Sequence, residues 1–361
     1  MLIRSLGTKA AGLRLERMQA SPLWSGAGFK NKHPILPGLR NPNAQMPSIR
    51  EFLFSDNNRT PKRQLPRIHP IAHWLAKPDT GFRVTWLGHS TVLLEMDGFK
   101  ILTDPVWGLR ASPFQFAGPK RFQPMPVSIA ELPPLDAIVV SHDHYDHLDY
   151  TSIKALAKLN VPFVTSLGVG AHMEHWGVRP EQITELDWWE SVTFNGGADP
   201  SRGELTITAA PAQHFSGRSI KDRNATLWSS MAIRTEHHNV FFGGDTGLTT
   251  EYADIAKRLG PFDLMMLEIG AFHPAWGDIH LGPENALKAF ALLDNNHGGF
   301  LLPIHWATFA LAMHAWDEPA EVLVNEATKQ GVNLFMPKMG EAAEPLKILD
   351  QNLKLQPWWH E

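Results

Sequence analysis

The sequence predicts a mixed α/β (α+β) fold in which two sheets are covered by helices. Two observations carry this reading. Three strand-like segments joined by tight turns come first, between Phe82 and Asp104, and only afterwards do strands mix with helices. Later runs such as Asp136–Ser141 are short, apolar and bounded by turn residues, which suits strands buried on both faces. A doubly wound sheet would alternate strand and helix from the start.

Taken in order, residues 1–67 read as an irregular basic N-terminal arm and 68–361 as the body. Residues 21–70 are rich in Pro, Asn, Arg and Ser with little periodicity, apart from one short helix expected around Ser48–Phe54. Arg83–Gly88 and Thr91–Met96 flank a turn at His89-Ser90. Asp97-Gly98 is then a strong hairpin signal ahead of Phe99–Asp104. Further strands are expected at Asp136–Ser141, Val161–Ser166, Glu204–Ala210, Ser229–Arg234, Asn239–Gly244, Leu264–Glu268 and Gly299–Ile304. Helices are expected at Ser152–Leu159, Ala171–Trp176, Thr250–Leu259 and Pro283–Leu293. There is no fixed-period repeat and no low-complexity tract.

A chain of 361 residues with 43% hydrophobic and 19% charged side chains can bury a sizeable core, which excludes wholesale disorder. No apolar run is long enough for a transmembrane helix. The start, Met1-Leu2-Ile3-Arg4-Ser5-Leu6-Gly7, lacks the apolar stretch and cleavage site of a secretory signal, so cytoplasmic residence is the default expectation. A net charge of −4 argues against a nucleic-acid partner. The charge is uneven, however. Residues 1–67 carry twelve Lys/Arg against three Asp/Glu, and the rest carries 21 against 34. A basic arm can meet phosphates or a membrane surface, although folding back onto an acidic body is the commoner use of such a segment.

Cysteine is absent, while histidines number eighteen against three tyrosines. Disulfides, thiolate zinc sites, iron–sulfur clusters and a cysteine nucleophile are therefore excluded, and any metal must be held by nitrogen and oxygen. The densest feature is His142-Asp143-His144-Tyr145-Asp146-His147, directly after an apolar strand. Three imidazoles and two carboxylates there are costly to bury unless a cation compensates them. His142 and His144, two apart on extended chain, face one side and reach one ion. A tight turn brings Asp146 and His147 to a second. Zinc–imidazole and zinc–carboxylate bonds of about 2.0–2.2 Å require ligands from several segments to converge. Suitable residues end other apolar runs: His214 after Leu205–Pro211, Asp245 after Asn239–Phe242, and His305 after Phe300–Ile304.

In this order of motifs the chain resembles the metallo-β-lactamase superfamily: HxHxDH, a distant His, an Asp after a Gly-rich strand end, then a last His. Within it, the chain is similar to the branch of N-acylphosphatidylethanolamine phospholipase D and ascorbate-6-phosphate lactonase. Trp86-Leu87-Gly88-His89-Ser90, Leu102-Thr103-Asp104-Pro105-Val106-Trp107, Glu185–Glu190 and the segment around His280 and Glu284 carry that likeness. The Asp187-Trp188-Trp189 and Ile279-His280-Leu281-Gly282-Pro283-Glu284-Asn285 motifs bring it closer to the phospholipase side. The likeness spans roughly residues 65–320.

The resemblance implies a four-layer αββα sandwich and two divalent metal ions, zinc first, with manganese or iron(II) as alternatives. It assigns His142, His144 and His214 to one ion, Asp146, His147 and His305 to the other, and Asp245 to both. A bridging hydroxide between ions about 3.5–4 Å apart is then the expected nucleophile. His89 and Asp104 orient ligands rather than bind. The resemblance gives His280 a substrate-side role, binding the oxyanion or protonating the leaving group, while a helix-cap role beside Pro283-Glu284-Asn285 explains it equally well. Trp306 and Phe309, with Leu311, Met313 and Trp316, either line an apolar substrate mouth or pack in the core.

The implied activity is phosphodiester hydrolysis of the N-acylphosphatidylethanolamine phospholipase D type, on a small-molecule or lipid substrate, with peripheral membrane contact left open. Opening of a phosphosugar or acyl lactone is the alternative. A di-iron redox protein of the same fold is an alternative of another class. That branch typically replaces the second motif histidine with glutamate, where this chain has His144. Gly168-Val169-Gly170 lacks the third glycine of a dinucleotide fingerprint, and no Gly-x-Ser-x-Gly elbow occurs. Oligomeric state is not legible.

Overall fold

A computed structural model describes residues 4–35, 41, 43–45, 48, 58–196, 199–351 and 355–361. The expected short helix around Ser48–Phe54 falls almost entirely on residues outside this set. Elsewhere the arm is more regular than its composition implies. Leu13–Ala20 forms helix α1, and Trp24–Ser25 (β1) pairs with Gly28–Phe29 (β2) in a small hairpin. Met18 and Phe29 are buried with Leu167, Ala212, Leu227 and Trp228, so contact with the body orders the segment. Three cations of the arm pair with acids of the body. Arg14 bonds Glu174 and Glu185, each at 2.9 Å, Arg17 bonds Glu190 at 2.6 Å, and Lys32 lies 2.8 Å from Glu251. The charge asymmetry is thus partly consumed within the molecule.

After a short turn of helix, Ile71–Trp74 (α2), the expected meander forms: Phe82–Gly88 (β3), Thr91–Met96 (β4) and Phe99–Thr103 (β5). Asp97 and Gly98 both have positive φ, 47° and 86°, as a tight two-residue hairpin loop demands. Ala137–Val140 (β6), Phe163–Ser166 (β7) and Ile183–Leu186 (β8) then add in parallel, connected through helices Tyr150–Leu156 (α3) and Gly170–His175 (α4). Ala342–Ala343 (β15), far along the chain, closes the other edge on β3.

The second sheet runs from Ser191–Asn195 (β9) through Glu204–Ala210 (β10), Ser230–Arg234 (β11) and Asn239–Phe242 (β12), all antiparallel. It ends in the parallel strands Leu264–Glu268 (β13) and Phe300–Ile304 (β14). Helices Glu251–Leu259 (α5), Gly282–Asp294 (α6) and Glu318–Gln330 (α7) accompany it.

Side-chain alternation sorts the first sheet into two faces. Val84, Trp86, Val92, Leu94 and Ile101 enter the main core shared with Ile207, Phe241 and Leu302 of the second sheet. Leu87, Leu93, Leu102 and Ile138 point the other way, onto Ile153 and Leu156 of α3 and Met173 of α4. Two sheets therefore share one core with helices outside, the αββα sandwich.

Besides the short α2 and β15, the elements of the body not foreseen include β8, β9 and α7. β8 and β9 flank the Asp187-Trp188-Trp189 turn, and β9 is an edge strand with only Val192 and Phe194 turned inward. α7 starts at Glu318-Pro319 and buries a narrow face of Ala320, Leu323 and Ala327.

Candidate metal centre

β6 ends at Val140, and the chain turns sharply: the His147 and Leu148 amides both donate to the His144 carbonyl, at 3.0 and 2.8 Å. Asp149 then caps α3, accepting the Ser152 amide at 2.9 Å. β10, β12, β13 and β14 end at the same edge of the sandwich and deliver His214, Asp245, Glu268 and His305. Gly244, at φ 58°, lets the β12 end approach β6 closely; a Cβ there would lie 2.7 Å from Ser141 Cβ. His89, Asp104 and His305 also hold positive φ of 54°, 30° and 64°. Such conformations are costly for non-glycine residues and concentrate at functional sites.

The ligand atoms of His142, His144, His214 and Asp245 all lie within 4.8 Å of one another, as do those of His89, Asp146, His147 and His305. Asp245 touches both groups. Its Oδ2 is 3.9 and 3.8 Å from His142 and His214 Nε2 and 3.2 Å from His305 Nε2, while Oδ1 is 3.1 Å from His147 Nε2. Every residue expected to hold metal is therefore in one place. His89, expected to orient, is as close: its Nε2 is 2.9 Å from Asp146 Oδ2, which also meets His305 Nε2 at 3.1 Å.

Neighbouring groups aim these side chains. His147 Nδ1–H donates to Asp104 Oδ2 at 2.6 Å, and the Ser141 hydroxyl donates to the same oxygen at 2.6 Å. Ser141 Oγ is 2.9 Å from His142 Nδ1, and His214 Nδ1–H donates to the Ile279 carbonyl at 2.8 Å. These bonds leave Nε2 of His142, His147 and His214 turned into the site.

The arrangement fits a cation. His142 Nε2 and His214 Nε2 both face His144 Nδ1, at 2.9 and 3.2 Å, although one imidazole nitrogen cannot donate to both. Buried His147 Nε2 and Asp245 Oδ1, 3.1 Å apart, lack hydrogen-bond geometry toward each other and have no other partner among the described residues. Imidazole and carboxylate without thiolate suit zinc, manganese or iron(II).

Electrostatics agree. Burial pushes His142 and His214 well below the usual histidine range, which favours their neutral forms. Burial alone would raise Asp146 and Asp245, but the adjacent His147 and His305 charges overcome it and hold both carboxyls far below their usual range. His305 is lifted to about 10 because Asp245 and Asp146 outweigh its burial.

His280 sits beside this group. Its Nδ1 is 2.6 Å from Glu268 Oε2 and 3.9 Å from Asp245 Oδ2. It does not cap α6: Leu281 occupies the capping position and no side chain bonds there. Glu268, fully buried, was missed from sequence, although it ends the apolar run Leu264–Leu267 just as the metal candidates end theirs. A cavity of about 420 Å³ opens against His280, walled by Phe272, Trp276 and Leu281 together with the polar side chains of Asp278, Glu284 and Glu318.

The substrate wall expected at Trp306 is corrected. Trp306 is 4% exposed and stacks on Trp86 at 5.8 Å, with Trp358 and Trp359 also against it, while its Nε1 donates to the Pro303 carbonyl. It is core. Phe309, also buried, sets its edge 5.2 Å from the His89 ring, under the Arg121 guanidinium. The wall that does reach the centre comes from the loop after β13, where Phe272 and Trp276 alternate with His273 and Asp278.

Comparison with known proteins agrees with this geometry. A β-lactamase superfamily domain matches residues 100–306. An uncharacterized protein of Mycobacterium tuberculosis is 40% identical over 357 residues, covering 98% of this chain and 91% of its own length. The N-acyl-phosphatidylethanolamine-hydrolyzing phospholipase D 1 of Caenorhabditis elegans is 36% identical over 331 residues, 85% of this chain and 88% of that protein. Among solved structures, the isothiocyanate hydrolase from Delia radicum gut bacteria shares the fold, with a TM-score of 0.56 and 21% identity over 73% of this chain and 98% of that one. The chain belongs to the metallo-β-lactamase superfamily, and it is a metal-dependent hydrolase.

Proposed function

We propose that this chain hydrolyses the phosphodiester of an N-acylated phosphatidylethanolamine, using two divalent ions. The observation that carries the reading is Asp245, whose two oxygens face both ligand groups beside a cavity with both apolar and polar walls. His142, His144 and His214 would hold one ion and Asp146, His147 and His305 the other, with Asp245 within reach of both. When bound, such a pair supplies Lewis acidity and brings the pKa of a coordinated water to about 7.

The residues around the ions divide the remaining work. Asp104 fixes the His147 ring directly and the His142 ring through the Ser141 hydroxyl. Glu268 holds Nδ1 of His280, which leaves Nε2 to give a proton to the departing alkoxide. Phe272, Trp276 and Leu281 exclude water and suit an acyl chain. Arm cations contribute less than their number implies, because Arg14, Arg17 and Lys32 are paired. The name of the Caenorhabditis elegans relative supports this lipid over a sugar lactone.

The direct test offers N-acylphosphatidylethanolamine in mixed micelles, beside a phosphosugar lactone, to zinc-, manganese- or iron-loaded enzyme. Release of phosphatidate and N-acylethanolamine is expected. Efficient lactone opening without phospholipid cleavage would overturn the lipid assignment and leave the metal site standing.

A further inference from the structure

Two loops carry exposed apolar side chains next to the metal centre. In the first, Arg110 pairs with Lys120 to close a hairpin-like loop that displays Leu109, Phe114 and Phe116, which are 51%, 38% and 82% exposed. The two phenyl rings lie 5.3 Å apart. In the second, Gly217–Asn224, Ile220 is 98% exposed. Single exposed apolar side chains are ordinary on protein surfaces, but here four stand on two adjoining loops.

The loops are neighbours. Ser5 Oγ donates to the Pro113 carbonyl at 2.7 Å, and Arg218 donates from Nε and Nη2 to the Ser5 carbonyl at 3.1 and 2.8 Å. Lys9 Nζ reaches the Lys221 carbonyl at 3.5 Å. Arg4–Leu6 thus forms a spacer between them, and Phe114 and Ile220 each lie within two residues of a group bonded to Ser5.

Charge at this face is one-sided. The segments 4–12, 105–122 and 217–224 contain Arg4, Lys9, Arg110, Lys120, Lys221 and Arg223, with Arg121 and Arg218 buried beneath. Their single acid is Asp222, whose Oδ1 accepts the Arg218 and Ser219 amides. This stands against a chain whose net charge is −4. The face also adjoins the metal centre: the Arg223 guanidinium lies 5.3 Å from the Phe215 ring, which is 4.6 Å from the ring of His144. Tyr145 donates its hydroxyl to the Arg218 carbonyl.

We infer that Leu109, Phe114, Phe116 and Ile220 insert into the surface of an anionic phospholipid bilayer while the surrounding Lys and Arg side chains contact its headgroups. Separate apolar tips rimmed by cations suit an interface where tails and phosphates lie within a few ångströms of each other. The inference deepens the lipid-substrate reading and rests on it for its purpose, since it seats the metal centre at the surface where such a substrate resides.

The test is co-sedimentation of the full-length, metal-loaded enzyme with vesicles of phosphatidylcholine alone or with added phosphatidylglycerol. The wild type should bind the anionic vesicles, and less so at high salt. A Phe116→Ser, Ile220→Ser double variant should bind about tenfold or more weakly, while turning over the soluble diester bis(p-nitrophenyl) phosphate at the wild-type rate. Leu75→Ser, which removes an exposed apolar side chain elsewhere, should bind as wild type. No binding by the wild type, equal binding by the double variant, or an equal loss in Leu75→Ser would overturn the inference. So would concentration-dependent self-association in solution that the double variant abolishes, because a second copy would then be the occupant. Vesicle binding without cleavage of N-acylphosphatidylethanolamine would reject the substrate and keep the surface. Cleavage in micelles without vesicle binding would do the reverse.

Discussion

Asp104 accepts the Ser141 amide at 2.7 Å on one oxygen, and Ser141 Oγ and His147 Nδ1, each at 2.6 Å, on the other. One buried carboxylate therefore sets the ring orientation of a residue in each ligand group, His147 directly and His142 through a hydroxyl. Asp245 and His280 occupy different places in this scheme, and substitution should separate them. Asp245→Asn removes the negative charge that faces both groups, so it should lower metal content and reduce turnover by at least about 10²-fold. Wild-type turnover at full metal occupancy in that variant would refute its bridging role. His280→Ala should keep its metal and lose about 10²–10⁴-fold in rate. Metal loss in His280→Ala would place that imidazole among the ligands instead. Elemental analysis beside steady-state kinetics reads both variants.

The elements matter because they end in register at one edge. Asp149 shows how the first of them is secured: Oδ2 accepts the Ser152 amide and hydroxyl, the Thr151 hydroxyl and the Gly108 amide. Asp149→Ala should cost about 1–2 kcal/mol, read as a lower urea midpoint. An unchanged midpoint would remove the cap from the account. The strands that deliver ligands were legible because each is an apolar run stopped by a polar residue, as at Asp245 and His305. Glu268 obeyed the same rule and was passed over because a lone carboxylate matches no metal motif. β9 was illegible as an edge strand, where Ser191, Thr193 and Asn195 face solvent and little apolar pattern survives. Trp306 misled for a different reason. Its neighbours in the core, Trp358 and Trp359, lie some fifty residues further on, beyond any local pattern.

At the scale of the whole molecule, both ends of the chain fold back on the body. The arm docks through Arg14 and Arg17, and the C-terminal segment through β15, the tryptophan cluster and Glu344. That carboxylate accepts the Thr80 amide at 2.8 Å and lies 3.0 Å from Lys347. Burial would raise it, but the Thr80 amide and Lys347 prevail and hold it below the usual carboxylate range. A depressed carboxylate stabilises the fold above its unfolded pKa, about 4.3, and that contribution disappears as pH falls through the folded value. Glu344→Gln should accordingly lose about 1 kcal/mol at neutral pH. Urea midpoints of variant and wild type should then converge in acid below the folded pKa. A difference that persists there would show that charge is not the cause.

The architecture converges on the His and Asp cluster, where imidazoles and carboxylates are buried together with polar atoms left unpaired among the described residues. Elemental analysis of protein purified without chelator and reconstituted with zinc, manganese or iron tests that claim most directly. The account predicts close to two ions per chain. A reproducible value of one or fewer after reconstitution would contradict it.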